Sequence, residues 1–294
     1  MSRSVEVLDA GALVLVQDTG RPGHAHLGVP RSGWLDAPSA RLANRLVGNP
    51  EDAAVLECLL GRLRLRTETA LTVAVTGAPC PVNAGGRPAA FGDALSLAAH
   101  DELRLGVPEV GLRCYVAFAG GLAVAPVLGS RATDMLAGLG PPRVEPGVTL
   151  PVGPATGEPA SAEGGVVSLD GAQPTPVLRL WPGPRQDWFS PAALETLATA
   201  TYAVDRDSDR IGLRLDGPVL QRRREEELPS EGIVLGSVQV PADGRPLVFL
   251  ADHPTTGGYP VVAVVDPADL ALCAQLRPGD EVRFRWRAPV GGGD

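Results

Sequence analysis

Short apolar runs, broken by glycine and proline every 8 to 15 residues, constrain this chain more than any other feature. Leu13–Gln17, Ala70–Thr76, Arg113–Ala119, Val177–Trp181, Ile233–Val240, Leu247–Ala251, Val261–Val265 and Glu281–Trp286 are examples. They are rich in Val and Leu, and turn residues separate them. That is the rhythm of barrels and sandwiches. The 36 glycines and 29 prolines serve it, because glycine opens φ > 0 and proline presets φ. The expectation is a mainly β chain with a few short helices. Three helices are predicted: Ala37–Val47, Pro191–Ala200 behind a Ser190 cap, and Ala268–Leu276 behind Asp266-Pro267. Residues 151–176, poor in large side chains, read as a linker dividing 1–160 from 161–294.

Composition excludes several functions. A net charge of −8 lacks the positive field that nucleic acid requires. No apolar run approaches the ~18 residues of a membrane helix, so no membrane is expected. The acidic, strand-like N-terminus does not read as a signal peptide. Cysteines at 58, 80, 114 and 273 form no C-x-x-C pair, which suits buried thiols in a reducing cytoplasm. The histidines, at 24, 26, 100 and 253, are too scattered to predict a metal site. The chain contains no lysine. That excludes a Walker A lysine, a Schiff base, and covalent biotin or lipoate on this chain. No dinucleotide fingerprint, nucleophile elbow or zinc-protease motif occurs either.

Four polar islands remain. The first, Asp18–Asp36, holds Gly20-Arg21-Pro22-Gly23 and Gly28-Val29-Pro30-Arg31-Ser32-Gly33. Backbone N–H groups in such loops form anion nests, and Arg21 and Arg31 carry the fork for carboxylate or phosphate. Asp36 reads equally as a helix cap or an acid–base group. The second, Leu128–Gly140, sets Arg131 and Asp134 at i, i+3, either a local ion pair or the lining of a pocket. The third, Asp205–Gly217, is turn-like and places Arg210 and Arg214 on one strand face. Arg222–Arg224 and Glu225–Glu227 follow as an exposed loop, or alternatively an interface. The fourth, Ala251–Pro260, collects Thr255, Thr256, Gly257, Gly258 and Tyr259 at a strand end. His253 beside them is either an acid–base group or part of a tight turn.

In order along the chain stand QD-x-GRPG, LGVP-x-SG, LAN-x-L-x-GNP, A-x-LE, GSR-x-TD, S-x-R-x-G-x-RL-x-G and TTGGYP. The set resembles the 5-oxoprolinase C-subunit family, also called allophanate hydrolase subunit 2, or the KipA-like, biotin-dependent carboxyltransferase-domain family. The similarity runs from about Val5 to Trp286. His253-Pro254 stands where the pattern has Gln before the threonines. The resemblance implies two cyclophilin-like β-barrel halves and two partners, a KipI-like B-subunit plus the A-subunit of the same complex. It implies cytoplasmic, ATP-dependent hydrolysis of 5-oxo-L-proline to L-glutamate, with ATP as its magnesium complex, and an isolated chain without activity. Two alternatives belong to the same resemblance. One is a carboxyltransferase acting on urea or a similar amide, with carboxybiotin on another chain. The other is a non-enzymatic, KipA-like regulatory partner. Lactam opening needs cations, oxyanion donors and a base. Arg21, Gly23, Arg31, Ser32, Gly33, Arg131, Arg210 and the Thr255–Tyr259 segment are therefore expected to bind anions or substrate. Asp36, Asp134 or His253 is expected to handle protons. Islands from opposite halves are expected to pair.

Overall fold

The computed structural model describes residues 3–159, 175–224 and 226–287. Most of the expected linker, 160–174, lies outside the described residues, as does Glu225. The mainly β expectation holds, and the chain divides into two compact units. One comprises the described parts of Met1–Pro22 and Arg31–Gly171; the other comprises Gly23–Pro30 and Ala172–Asp294. The strand Thr149–Pro151 pairs with Ser4–Ala10, so the start of the expected linker belongs to the first unit's sheet.

The first unit is layered. A six-stranded sheet contains Ser4–Ala10, Leu63–Thr67 and Glu102–Leu105. A five-stranded sheet runs Leu13–Gln17, Val55–Leu59, Arg113–Phe118, Leu71–Gly77, Ala94–Leu97. Val5, Val7 and Leu65 from one sheet meet Val14, Leu56, Cys114 and Val116 from the other in a single core. Fully burying a Val or Leu of this kind contributes about 1.5–3 kcal/mol. On the outer face of the five-stranded sheet, helix α1 (Ala37–Leu46) packs Ala40, Ala43 and Leu46 against Val55, Tyr115 and Ala117. Strand Val55–Leu59 is thus covered on both faces. It has no polar alternation to announce it, and the sequence reading passed over it.

The second unit is a closed seven-stranded barrel. Its order is Val177–Pro182, Val261–Val265, Ser237–Gln239, Leu247–Phe249, Gly212–Asp216, Thr201–Val204, Glu281–Trp286. Parallel pairing of Val177–Pro182 with Glu281–Trp286 shuts the ring, and closure removes the exposed edges. Tyr202 and Phe284 meet edge to face at 5.7 Å within it. Helix α2 (Pro191–Thr199) carries the expected Ser190 cap on Ala193 N. The expected helix Ala268–Leu276 is shorter: a 3-10 turn at Pro267–Asp269 and then α3, Leu270–Cys273. The single strand expected over Ile233–Val240 is also broken. Gly236 has φ +83°, and the Ser237 hydroxyl accepts from Val234 N, so a turn separates Glu231–Gly232 from Ser237–Gln239.

Candidate functional site

The two ends of the first island, Asp18–Pro22 and Arg31–Asp36, meet the second island inside the first unit. Asp18 accepts bonds from Gly20 N at 2.8 Å, Ser130 Oγ at 2.5 Å and Arg131 N at 2.5 Å. The Ser32 hydroxyl donates to Thr133 O at 3.2 Å, and Gln17 Nε2 donates to the same carbonyl at 2.7 Å. Gly20 and Gly33 let two backbone segments touch. A Cβ on Gly20 would lie 2.4 Å from Arg31 O, and one on Gly33 would lie 2.8 Å from Gly20 N. Both have positive φ, which only glycine adopts without strain. Around Gly20 and Gly33 the loop packs on its own backbone, whereas Gly23 and Gly28 face open space.

Arg21 lies inside the unit. It is 1% exposed. Its guanidinium donates to Ala132 O and approaches Val127 O, and its Nη1 stands 3.8 Å from Asp134. Burial and these partners make it hold the loop. Asp134 accepts from Leu136 N and Ala137 N, closing a turn. Asp36 takes the capping alternative, accepting from Ser39 N and Ser39 Oγ. Arg131 donates to Val124 O. Arg31 is exposed, with Nε on Thr19 O at 3.3 Å. Gly23 is also exposed, and nothing lies within 4 Å of where its Cβ would be.

Beneath α1 lies a polar network that the sequence reading missed. Glu57 accepts from Tyr115 Oη at 2.9 Å and Leu35 N at 3.1 Å, and Arg113 Nε stands 3.6 Å away. Tyr115 Oη in turn accepts from Asp36 N. Burial, then the Glu57 charge, pushes the Tyr115 hydroxyl well above its ordinary value, so it stays protonated and donates. The network fixes the start of the helix.

The third and fourth islands meet inside the second unit. Arg210 and Asp252 form a two-pronged ion pair, Nε–Oδ2 2.9 Å and Nη2–Oδ1 3.0 Å, with side chains 4% and 0% exposed. Asp252 N also donates to Arg210 O. The pair therefore fixes the chain where Ala251–Pro260 begins. Asp252 stood inside an island already singled out, between an apolar strand and His253; its partner was invisible without the barrel. His253 is buried beside Phe249, and its Nδ1 donates to Pro254 O at 2.7 Å. A carbonyl only accepts, so this bond makes Nε2 the basic nitrogen. Thr256–Gly257 pairs with Glu231–Gly232, and Arg185 grips Glu231 from Nε at 3.0 Å and from Nη2. Gln239 lies under the segment: its Nε2 donates to Tyr259 O at 2.9 Å and would meet a Cβ on Gly257 at 2.8 Å. Tyr259 is half exposed, and the Arg222 guanidinium lies 5.6 Å from its ring centre. Arg222 Nη2 also donates to Val240 O, which steadies the cation there. The rim thus offers hydroxyls, a phenol and a cation on a braced support. Such a surface can orient a small polar, anionic molecule.

The carboxyltransferase domain, subdomain A and B, matches residues 27–286. The chain belongs to this family. Its match to the 5-oxoprolinase C-subunit of Escherichia coli (strain K12) is 36% identical over 283 residues, 95% of this chain and 90% of that one. The urea amidolyase of Lachancea kluyveri is 31% identical over 307 residues, 95% of this chain but 17% of that protein. Among solved structures, TTHA0988 superposes with TM-score 0.86 at 38% identity, covering 96% of this chain and 55% of that chain. The Kluyveromyces lactis urea carboxylase gives TM-score 0.91 at 29% identity, covering 97% of this chain and 27% of that chain. This carboxyltransferase-domain chain therefore spans about half of the first solved protein and about a quarter of the second. Among the described residues, no helix is long and apolar enough to cross a membrane.

Proposed function

We propose that this chain is the C-subunit of an ATP-dependent 5-oxoprolinase, working with the A and B components to open 5-oxo-L-proline to L-glutamate. One observation carries the reading: the match to the bacterial C-subunit is nearly end to end on both chains. The urea amidolyase match covers a small part of a much longer protein. In this reading the barrel rim orients the lactam. Arg222 takes the substrate carboxylate, Thr255, Thr256 and the Gly257-Gly258 backbone address the ring amide, and Tyr259 closes over it. His253, through Nε2, handles the proton as water adds and the ring C–N bond breaks. Arg31 remains available as an exposed cation on the first unit. Asp36 and Asp134 drop out of the proton role, because their carboxylates hold turns and caps.

With no lysine, this chain has no Walker A lysine to hold the ATP phosphates. Among the described residues no three His, Cys, Asp or Glu side chains converge on a metal position. At Gly20 and Gly33 the glycine loop packs against its own backbone. We therefore assign magnesium-bound ATP to one of the partner components. A second reading, carboxyl transfer to urea or a similar amide from carboxybiotin on another chain, is favoured by the close superposition on the urea carboxylase. Substrate choice separates the two. The chain assembled with the A and B components should release glutamate from 5-oxoproline and leave urea untouched, whatever biotin carrier is supplied. Carboxylation of urea in that assay, without glutamate release, would replace the first reading by the second.

A further inference from the structure

Three of the four cysteines lie in the first unit, on neighbouring pieces of backbone. Cys114 is in the central strand Arg113–Phe118, directly across the ladder from Cys58. Cys80 lies in the Ala78-Pro79-Cys80-Pro81 segment leaving strand Leu71–Gly77. Cys114 Sγ stands 3.7 Å from Cys80 Sγ and 3.2 Å from Ala78 O. Cys58 and Cys114 are wholly buried, whereas Cys80 is 8% exposed and so is the thiol that a small oxidant reaches first.

We propose that Cys80 and Cys114 form a peroxide-responsive dithiol, closing to a disulfide within the folded first unit. The chemistry balances with hydrogen peroxide as the named oxidant. Cys80 attacks peroxide, the O–O bond breaks, and Cys80 becomes a sulfenic acid with release of water. Cys114 then attacks Cys80 Sγ; the S–O bond breaks, the S–S bond forms, and a second water leaves. The sulfurs must close from 3.7 Å to the ~2.05 Å of a disulfide. The Cys114 thiol, donating to Cys80, holds the Cys80 thiol below its ordinary range against the upward push of burial. A lowered thiol pKa favours attack on peroxide. Burial pushes Cys58 the other way, so it stays a thiol. The prolines flanking Cys80 stiffen the segment that presents it.

Peptide mapping tests the proposal directly. With no lysine in the chain, trypsin cuts only after arginine, which places Cys58, Cys80 and Cys114 on separate peptides. Native protein is treated with hydrogen peroxide, blocked with an alkylating agent, and digested without reductant. The expected result is one linked pair, Cys80 to Cys114, with titratable thiols in denaturant falling from four to two. Cys80→Ser and Cys114→Ser should each abolish the link, and Cys273→Ser should keep it. The wild-type map decides the matter even if a core variant fails to fold. Four thiols left free, a link that includes Cys58, or Cys80 oxidised to sulfinic acid without a link would each overturn the proposal.

Discussion

Arg210→Met should unfold the second unit far more easily than its change in size suggests. The Arg210–Asp252 pair is shut away from water, with both prongs at 3.0 Å or less. Two unit charges 4 Å apart attract by about 4 kcal/mol at an effective dielectric constant of 20. Removing one partner forfeits that attraction and leaves the other charge desolvated, a loss of about 3–5 kcal/mol. For a barrel of this size that is a fall in melting temperature of roughly 10–20 °C. Asp252→Leu alone should cost about as much. The double variant, Arg210→Met with Asp252→Leu, replaces both charges by apolar groups. It should recover most of the loss, because a buried pair exchanged for packed hydrophobics is about neutral or better. The assay is thermal and urea unfolding of the four proteins, read as a double-mutant cycle. A single variant within about 1 kcal/mol of wild type, or a double variant as unstable as the sum of the singles, would refute the reasoning.

Three smaller tests follow. Gly20→Ala should destabilise the first unit by more than the ~1–2 kcal/mol of left-handed strain, since its Cβ would lie 2.4 Å from Arg31 O. Gly23→Ala, with open space around it, should cost no more than that strain; equal melting temperatures for the two would contradict the backbone contact. Tyr115→Phe removes the donor to Glu57 and the acceptor for Asp36 N, so calorimetry should show a loss of about 1–3 kcal/mol. In acid, the bond from Arg179 holds the Asp269 carboxyl below its usual range. Its stabilisation is full above the unfolded value of about 3.9 and is lost as pH falls through the lower folded value. Asp269→Asn should flatten the acid limb of the stability–pH curve, and an unchanged limb would show that the pair contributes nothing there.

Local rules were legible in the chain, and long-range partners were not. Ser190-Pro191 and Asp36 announced helix starts because a cap acts within three residues of itself. The strand rhythm announced a mainly β fold because each turn carries its own glycine or proline. Val55–Leu59 escaped because α1 covers the face that would otherwise have been polar. Glu57 and Tyr115 escaped with it, being 58 positions apart and joined only by the sheet. Arg21 was assigned to ligand because loop arginines often are; only the fold reveals that Ala132 O and Asp134 surround it. Asp252 gained meaning from Arg210, 42 positions away at the end of the neighbouring strand.

The central claim concerns what this carboxyltransferase-domain chain does in company. The most direct measurement is glutamate and ADP formation from 5-oxo-L-proline and ATP, with the chain and the proposed A and B components purified separately and then combined. The account predicts turnover with all three together, none when any one is left out, and loss of turnover when Arg222→Ala replaces the wild-type chain. Undiminished turnover without this chain, or glutamate release by this chain alone, would contradict it.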